Sequence, residues 1–147
     1  MQPGELAARE SIRDLVARYN MSGDSGRIAE LVALFAPDGE LEVDGAVYRG
    51  RTALEAFFTG VARGGDRGPE LRALRHHLAT QQIDLEGEER ATGRVYFSVY
   101  TDRGLDHWGV YRDDYRLTGE GWRFARRRVS LDGVTPGGWA DATLPGG

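Results

Sequence analysis

The hydrophobic positions change period about halfway along the chain. Over residues 5–19, Leu6, Ile12, Leu15, Val16 and Tyr19 recur at helical spacing with charged residues between them, which predicts an amphipathic helix. Residues 21–26 are rich in Ser and Gly and read as a break. A second helix is predicted over residues 27–35, with Ile28, Leu31, Val32 and Phe35 on one side. Ala36-Pro37-Asp38-Gly39 then stops it and turns the chain. Leu41 and Val43 alternate with acids, Asp44-Gly45 is a hairpin signal, and Val47-Tyr48 returns. A third helix is predicted over residues 51–62, with Leu54, Phe57, Phe58 and Val61 in register, and residues 63–69 form a glycine-rich loop.

In the second half the period shortens to two. Residues 74–85, 91–101, 105–117 and 122–131 read as four successive strands joined by turn-prone Gly, Asp and Glu segments. Helices followed by an antiparallel meander define an α+β layout, with helices packed on one face of a curved sheet. Residues 1–131 read as one domain and 132–147 as a Gly/Pro-rich tail, either frayed or laid over an opening. Alternation sorts Val95, Phe97 and Val99 from Tyr96, Ser98 and Tyr100, but it does not say which set faces the helices.

Composition narrows the function classes. A chain of 147 residues can bury roughly two-thirds of its unfolded surface in one core. All 19 basic residues are arginine, interleaved with 23 acids for a net charge of −4, which leaves no footprint for nucleic acid. The absence of cysteine excludes a disulfide framework, a thiolate nucleophile and a zinc ribbon. No apolar run approaches the ~18 residues of a membrane span, and the N-terminus lacks signal-peptide features, so a cytoplasmic protein is expected.

The side chains with chemical potential are few. Asp24, after the first helix, and His77, in Arg75-His76-His77-Leu78, would together make an imidazole–carboxylate pair able to move a proton. The plainer alternative is a histidine satisfied by a backbone carbonyl. His76 should point the opposite way in a strand, so one of the two can occupy a cavity and joint metal binding is not expected. Tyr19 is either the last core residue of its helix or a phenol facing the cavity. His107 reads as a rim residue and Asp113-Asp114 as surface ion-pair partners. Of Arg126, Arg127 and Arg128, most should be solvated, with room for one turned inward. The Gly64-Gly65 loop has no following helix with Lys, which argues against a phosphate cradle.

The order of these segments resembles the SnoaL-like families of the nuclear transport factor two-like superfamily. The resemblance is carried by the stretch from Ala8 to Leu15, by Tyr19, Asp24 and Leu34-Phe35-Ala36-Pro37-Asp38-Gly39, by Tyr48-Arg49-Gly50-Arg51 and Arg75-His76-His77, and by Gly121-Trp122-Arg123-Phe124. It covers residues 5–131 and implies a cone-shaped α+β barrel, three N-terminal helices packed on a curved, mainly antiparallel sheet around a deep pocket. The subgroup it resembles contains scytalone dehydratase and hexachlorocyclohexane dehydrochlorinase, cofactor-free lyases built on a His–Asp pair. That resemblance implies catalytic roles for His77, Asp24, Tyr19 and Arg127, and a pocket lined by Tyr111, Val95, Phe97 and Phe57. Tyr19 stands where the dehydrochlorinase has Lys, and Gln81 where Asn is usual, so handling of a chloride leaving group does not carry over.

The expectation is therefore an acid–base lyase, dehydratase, isomerase or cyclase, without metal or coenzyme, acting on a small and largely apolar molecule. A non-catalytic small-molecule-binding domain of the same fold is the rival reading. A third is a ketosteroid-isomerase-like enzyme, whose base would sit near Glu42 or Asp44. Tyr96, Tyr100, Trp108 and Trp122 on the alternate strand faces need cover, which predicts a homodimer.

Overall fold

The computed structural model describes residues 1–63 and 73–143, so the Gly64-Gly65 loop lies outside the described residues. Helix α1 (Pro3–Asp24) opens on a proline, and the Gln2 amide donates to the Glu5 carboxylate at 2.9 Å. Ile12, Leu15, Val16 and Tyr19 form its buried stripe. Each such aliphatic side chain contributes about 1.5–3 kcal/mol when fully buried. The helix runs through the predicted break because Asn20 and Ser22 are buried and Gly23 packs beside Leu31. This packing outweighs the ~1 kcal/mol helix penalty of glycine. Gly26, at φ 71°, marks the end.

Helix α2 (Ile28–Ala33) is shorter than its pattern suggested. Phe35, expected on it, instead begins strand β1 (Phe35–Val43), and the predicted Ala36–Gly39 turn is an irregular stretch of that strand. The Asp44-Gly45 hairpin is present, with both residues at positive φ (51° and 78°), and leads into β2 (Ala46–Arg49). Helix α3 (Arg51–Arg63) follows. Then come the four long strands β3 (Leu74–Leu85), β4 (Arg90–Thr101), β5 (Gly104–Thr118) and β6 (Gly121–Val134), and a short helix α4 (Trp139–Thr143).

The strands form one sheet in the order β2-β1-β6-β5-β4-β3, antiparallel except where β1 meets β6. This is the expected α+β arrangement, with one difference: the curved sheet does not close into a barrel. Helix α1 packs on β3 and β6, while α3 packs on α2, β1 and β2. Val95, Phe97 and Val99 face this core, and Tyr96, Tyr100 and Trp108 stay exposed on the other side. Trp122, expected on the uncovered face, is buried in the core. Among the described residues no helix is long and apolar enough to cross a membrane.

Of the register shifts in the sheet, three decide which side chains of the site enter the core. In β3 the pairing slips between Leu78 and Gln81, in β5 between Val99/His107 and Tyr100/Leu105, and in β6 between Asp114/Arg126 and Tyr115/Phe124. Each inserts one residue on one strand and reverses the alternation beyond it.

Candidate active site

A cavity of about 610 Å³ opens between α1, α3 and the covered face of the sheet. Asp24, on the last turn of α1, reaches the start of β3. One carboxylate oxygen lies 2.7 Å from His76 Nδ1, and the other accepts the His76 backbone amide at 3.0 Å. This two-point grip favours the tautomer with hydrogen on Nδ1, leaving the Nε2 lone pair unclaimed by Asp24. Both side chains are largely buried and line the cavity.

The partner of Asp24 is thus His76, not His77. His77 lies on the opposite face of β3, where its ring meets that of the half-exposed Tyr100 edge-on at 5.0 Å. The cause is the β3 bulge. Counting back in twos from the buried Ile83 brings His77 inward, but the extra residue between Leu78 and Gln81 turns His76 inward instead.

A second imidazole held by a carboxylate, His107, lines the same cavity, with its partner Asp106 outside the lining. His107 Nδ1 is 2.7 Å from the Asp106 carboxylate, and both residues are buried although they are adjacent in the strand. Asp106 is the unopposed residue of the β5 bulge, which is why neither alternation nor motif spacing exposed the pair. The rim position expected for His107 is therefore replaced by a buried one. Burial pushes the His107 pKa below the ordinary histidine value, while Asp106 acts to raise it and nearby His76 to lower it. The Phe97 ring meets both imidazoles, with centroids 6.2 Å from His76 and 6.3 Å from His107.

The floor of the cavity is phenolic. Tyr19 and Tyr111 approach edge to face at 5.8 Å, and Phe97 stacks on Tyr111 at 4.4 Å. Burial raises the pKa of both tyrosines, so each remains a protonated donor at neutral pH. Asn20 Nδ2 donates to the Tyr111 hydroxyl at 3.3 Å, while its Oδ1 is buried without a partner among the described residues. The periodic pattern gave no sign of Asn20; its position four residues before Asp24 was the available signal.

Arg127 lies behind these rings rather than in the cavity. It is fully buried and bidentate to Asp113, with two contacts of 2.8 Å, and Asp113 also accepts the Tyr115 hydroxyl at 2.7 Å. Its guanidinium sits 4.3 Å from the Tyr19 ring centroid and 3.9 Å from that of Tyr111. Burial opposes the charge, but Asp113 overrides it and holds Arg127 above the usual arginine range. Asp113, expected at the surface, is thus an interior counter-ion. Its neighbour Asp114 is the partly exposed one, beside Arg128. Of the other expected lining residues, Tyr111, Phe97 and Phe57 face the cavity, whereas Val95 is buried in the core without lining it.

An open, curved α+β sheet whose pocket is lined by two carboxylate-bound histidines places the protein among small pocket-bearing domains of the nuclear transport factor two type. Residues 4–128 match the SnoaL-like domain, and the chain belongs to that family. An NTF2-like protein with a cystatin-like fold from Novosphingobium aromaticivorans is 34% identical, with a TM-score of 0.75 over 88% of this chain and 86% of that one. A candidate scytalone dehydratase from Novosphingobium aromaticivorans is 24% identical (TM-score 0.77; 92% and 91% covered) and shares the fold. So does a hexachlorocyclohexane dehydrochlorinase from Novosphingobium barchaimii, at 18% identity (TM-score 0.74; 90% and 91% covered). Among curated proteins none matches significantly.

Proposed function

We propose that the protein is a cofactor-independent acid–base enzyme, a lyase, isomerase or cyclase, acting on a small, largely apolar molecule. The observation that carries this reading is the Asp24–His76 contact of 2.7 Å within a pocket whose walls include Leu31, Leu41 and Phe58. His76 Nε2 takes a proton from carbon or hydroxyl, and Asp24 stabilises the imidazolium that forms. The protonated Tyr19 and Tyr111 hydroxyls donate to the oxygen on which negative charge develops. His107, with Nδ1–H held by Asp106, presents a neutral imidazole beside Phe97 to accept a hydrogen bond from a substrate hydroxyl. In an elimination the leaving group departs with a proton from a phenol. In an isomerisation the His76 imidazolium returns the proton to a second carbon. Arg127 acts through the phenols, its cation lying against their ring faces and favouring donation.

The names of the scytalone dehydratase and dehydrochlorinase neighbours are in keeping with this chemistry. A purely binding domain has no need of a carboxylate gripping one histidine at two points. The ketosteroid-isomerase-like reading has less support: Asp44 reaches the cavity but is solvent-exposed, with no phenol or histidine bonded to it among the described residues, and Glu42 is engaged by Arg126 at 3.0 Å.

Proton abstraction can be tested before the substrate is identified. The wild-type protein is incubated with a panel of small hydroxylated and carbonyl-bearing carbon acids in deuterated water, and exchange is followed by NMR. His76→Gln should slow any catalysed exchange by about 10²–10⁴-fold, the usual contribution of a positioned base. His77→Gln should leave it unchanged. Equal exchange by wild type and His76→Gln would sink the proposal.

A further inference from the structure

We infer that Asp106 is a positioning residue that serves two elements at once, orienting His107 and seating the C-terminal segment over the pocket, so that closure of the segment and the state of the imidazole are coupled. This deepens the reading of His107 as a pocket group and rests on it.

The Asp106 side chain is buried, and both of its oxygens are engaged. Oδ1 accepts the Trp139 amide at 2.6 Å, and Oδ2 accepts the Ala140 amide at 3.1 Å while lying 2.7 Å from His107 Nδ1. The Asp106 backbone carbonyl also accepts the Thr135 amide at 2.7 Å, so the segment is tied by main chain and side chain alike. What it brings over the pocket is Trp139 and Ala140, both lining residues, with the Trp139 ring 5.9 Å from that of His107. Seating the segment therefore buries His107 as it shares its carboxylate.

The groups bearing on His107 can be stated for each neighbouring element. On β5 itself the group is Asp106. From β3 comes His76, with Asp24 of α1 behind it. From β4 come the uncharged Phe97 and Val99, from β6 the uncharged register partner Val134, and from α4 Trp139. The segment's own carboxylate, Asp141, accepts the Gly137 amide at 2.8 Å, so the segment acts on His107 by excluding water and engaging Asp106. Release of the segment would restore water to the imidazole and free Asp106 to favour its cation, and both changes raise the His107 pKa.

Gly138 allows the test without replacing either member of the pair. A β-carbon there would lie 2.7 Å from Asp106 Oδ1 and 3.0 Å from the Thr135 carbonyl, so Gly138→Ala must part the segment from the Asp106 carboxylate, whichever of the two moves. In the full chain, hydrogen exchange at Trp139 and Ala140 should quicken about tenfold or more, as expected for lost bonds to a charged acceptor. The His107 titration, followed by imidazole ¹H–¹⁵N NMR, should move up. Asp106→Asn gives the second arm, because an amide has one acceptor oxygen where the carboxylate has two. It should lose either the protection of Trp139 or the Nδ1–H tautomer of His107.

The inference is overturned if Gly138→Ala keeps wild-type exchange or an unmoved His107 titration, or if Asp106→Asn retains both properties. None of these readouts involves turnover. Loss of proton abstraction in His76→Gln tests the acid–base reading separately, so the two can fail independently.

Discussion

Asp113→Asn isolates the interior ion pair behind the phenols. In the native protein the Arg127 and Asp113 side chains have no exposed surface, and the carboxylate receives two guanidinium contacts of 2.8 Å and the Tyr115 hydroxyl. Asparagine keeps the shape but removes the counter-charge and turns an NH₂ toward one of those donors. Arg127 Nη1 already lacks a hydrogen-bond partner among the described residues, so the cation has no reserve acceptor to adopt. Breaking a buried pair from one side typically costs about 3–5 kcal/mol, against a total stability of about 5–15 kcal/mol. For a domain of this size the melting temperature should fall by roughly 6–20 °C. Asp114→Asn is the matched control: its partner Arg128 is 3.5 Å away and both side chains are partly exposed, so the loss should stay below about 1 kcal/mol. Urea denaturation followed by tryptophan fluorescence measures both. The double variant Arg127→Met with Asp113→Leu should recover most of the loss, since neither charge is then stranded. Equal, small losses for Asp113→Asn and Asp114→Asn would refute the placement of Arg127 in the interior.

Three further outcomes are expected. Because burial depresses the folded-state pKa of His107, its contribution to stability is present above the unfolded value of about 6.5 and is lost as pH falls through the lower folded value. Urea midpoints measured from neutral to mildly acidic pH should fall in wild type and fall less steeply in His107→Asn. Gly109→Ala should cost about 1–3 kcal/mol by overpacking, because its β-carbon would collide with the Ser130 carbonyl and press the Phe97 ring, which stacks on Tyr111; a change below 0.5 kcal/mol in urea denaturation, roughly the surface-substitution range, would contradict that crowding. The exposed Tyr96, Tyr100 and Trp108 on the uncovered sheet face predict a homodimer, and light scattering at micromolar concentration that reports a monomer would remove that expectation.

How far the sequence could be read depended on whether the relevant signal was local. Helix stripes, the Asp44-Gly45 hairpin and the four-strand meander are local, and they appear in the structure close to where periodicity put them. Asp24 was legible as a carboxylate at the end of a helix facing a strand start. The misread site residues cluster beside bulges. Period-two alternation carries parity along a strand only while every residue has one partner, and a single unpaired residue reverses it. The β3 bulge exchanges His77 for His76. The β5 bulge buries Asp106 and His107 side by side. The β6 bulge puts Arg127 on the same face as Phe124, three residues away, and so brings it to Asp113. Phe35 was misassigned for a different reason: its apolar character suited a helix face and a core strand equally, and the pairing with Phe124 that decides between them is a contact across the chain. Bulges are themselves set by such long-range pairing, so no window of a dozen residues contains them. In this chain the same irregularities that hid the site also assemble it, because only a reversal of parity can bring adjacent Asp106 and His107 to the covered face and turn His76 toward Asp24.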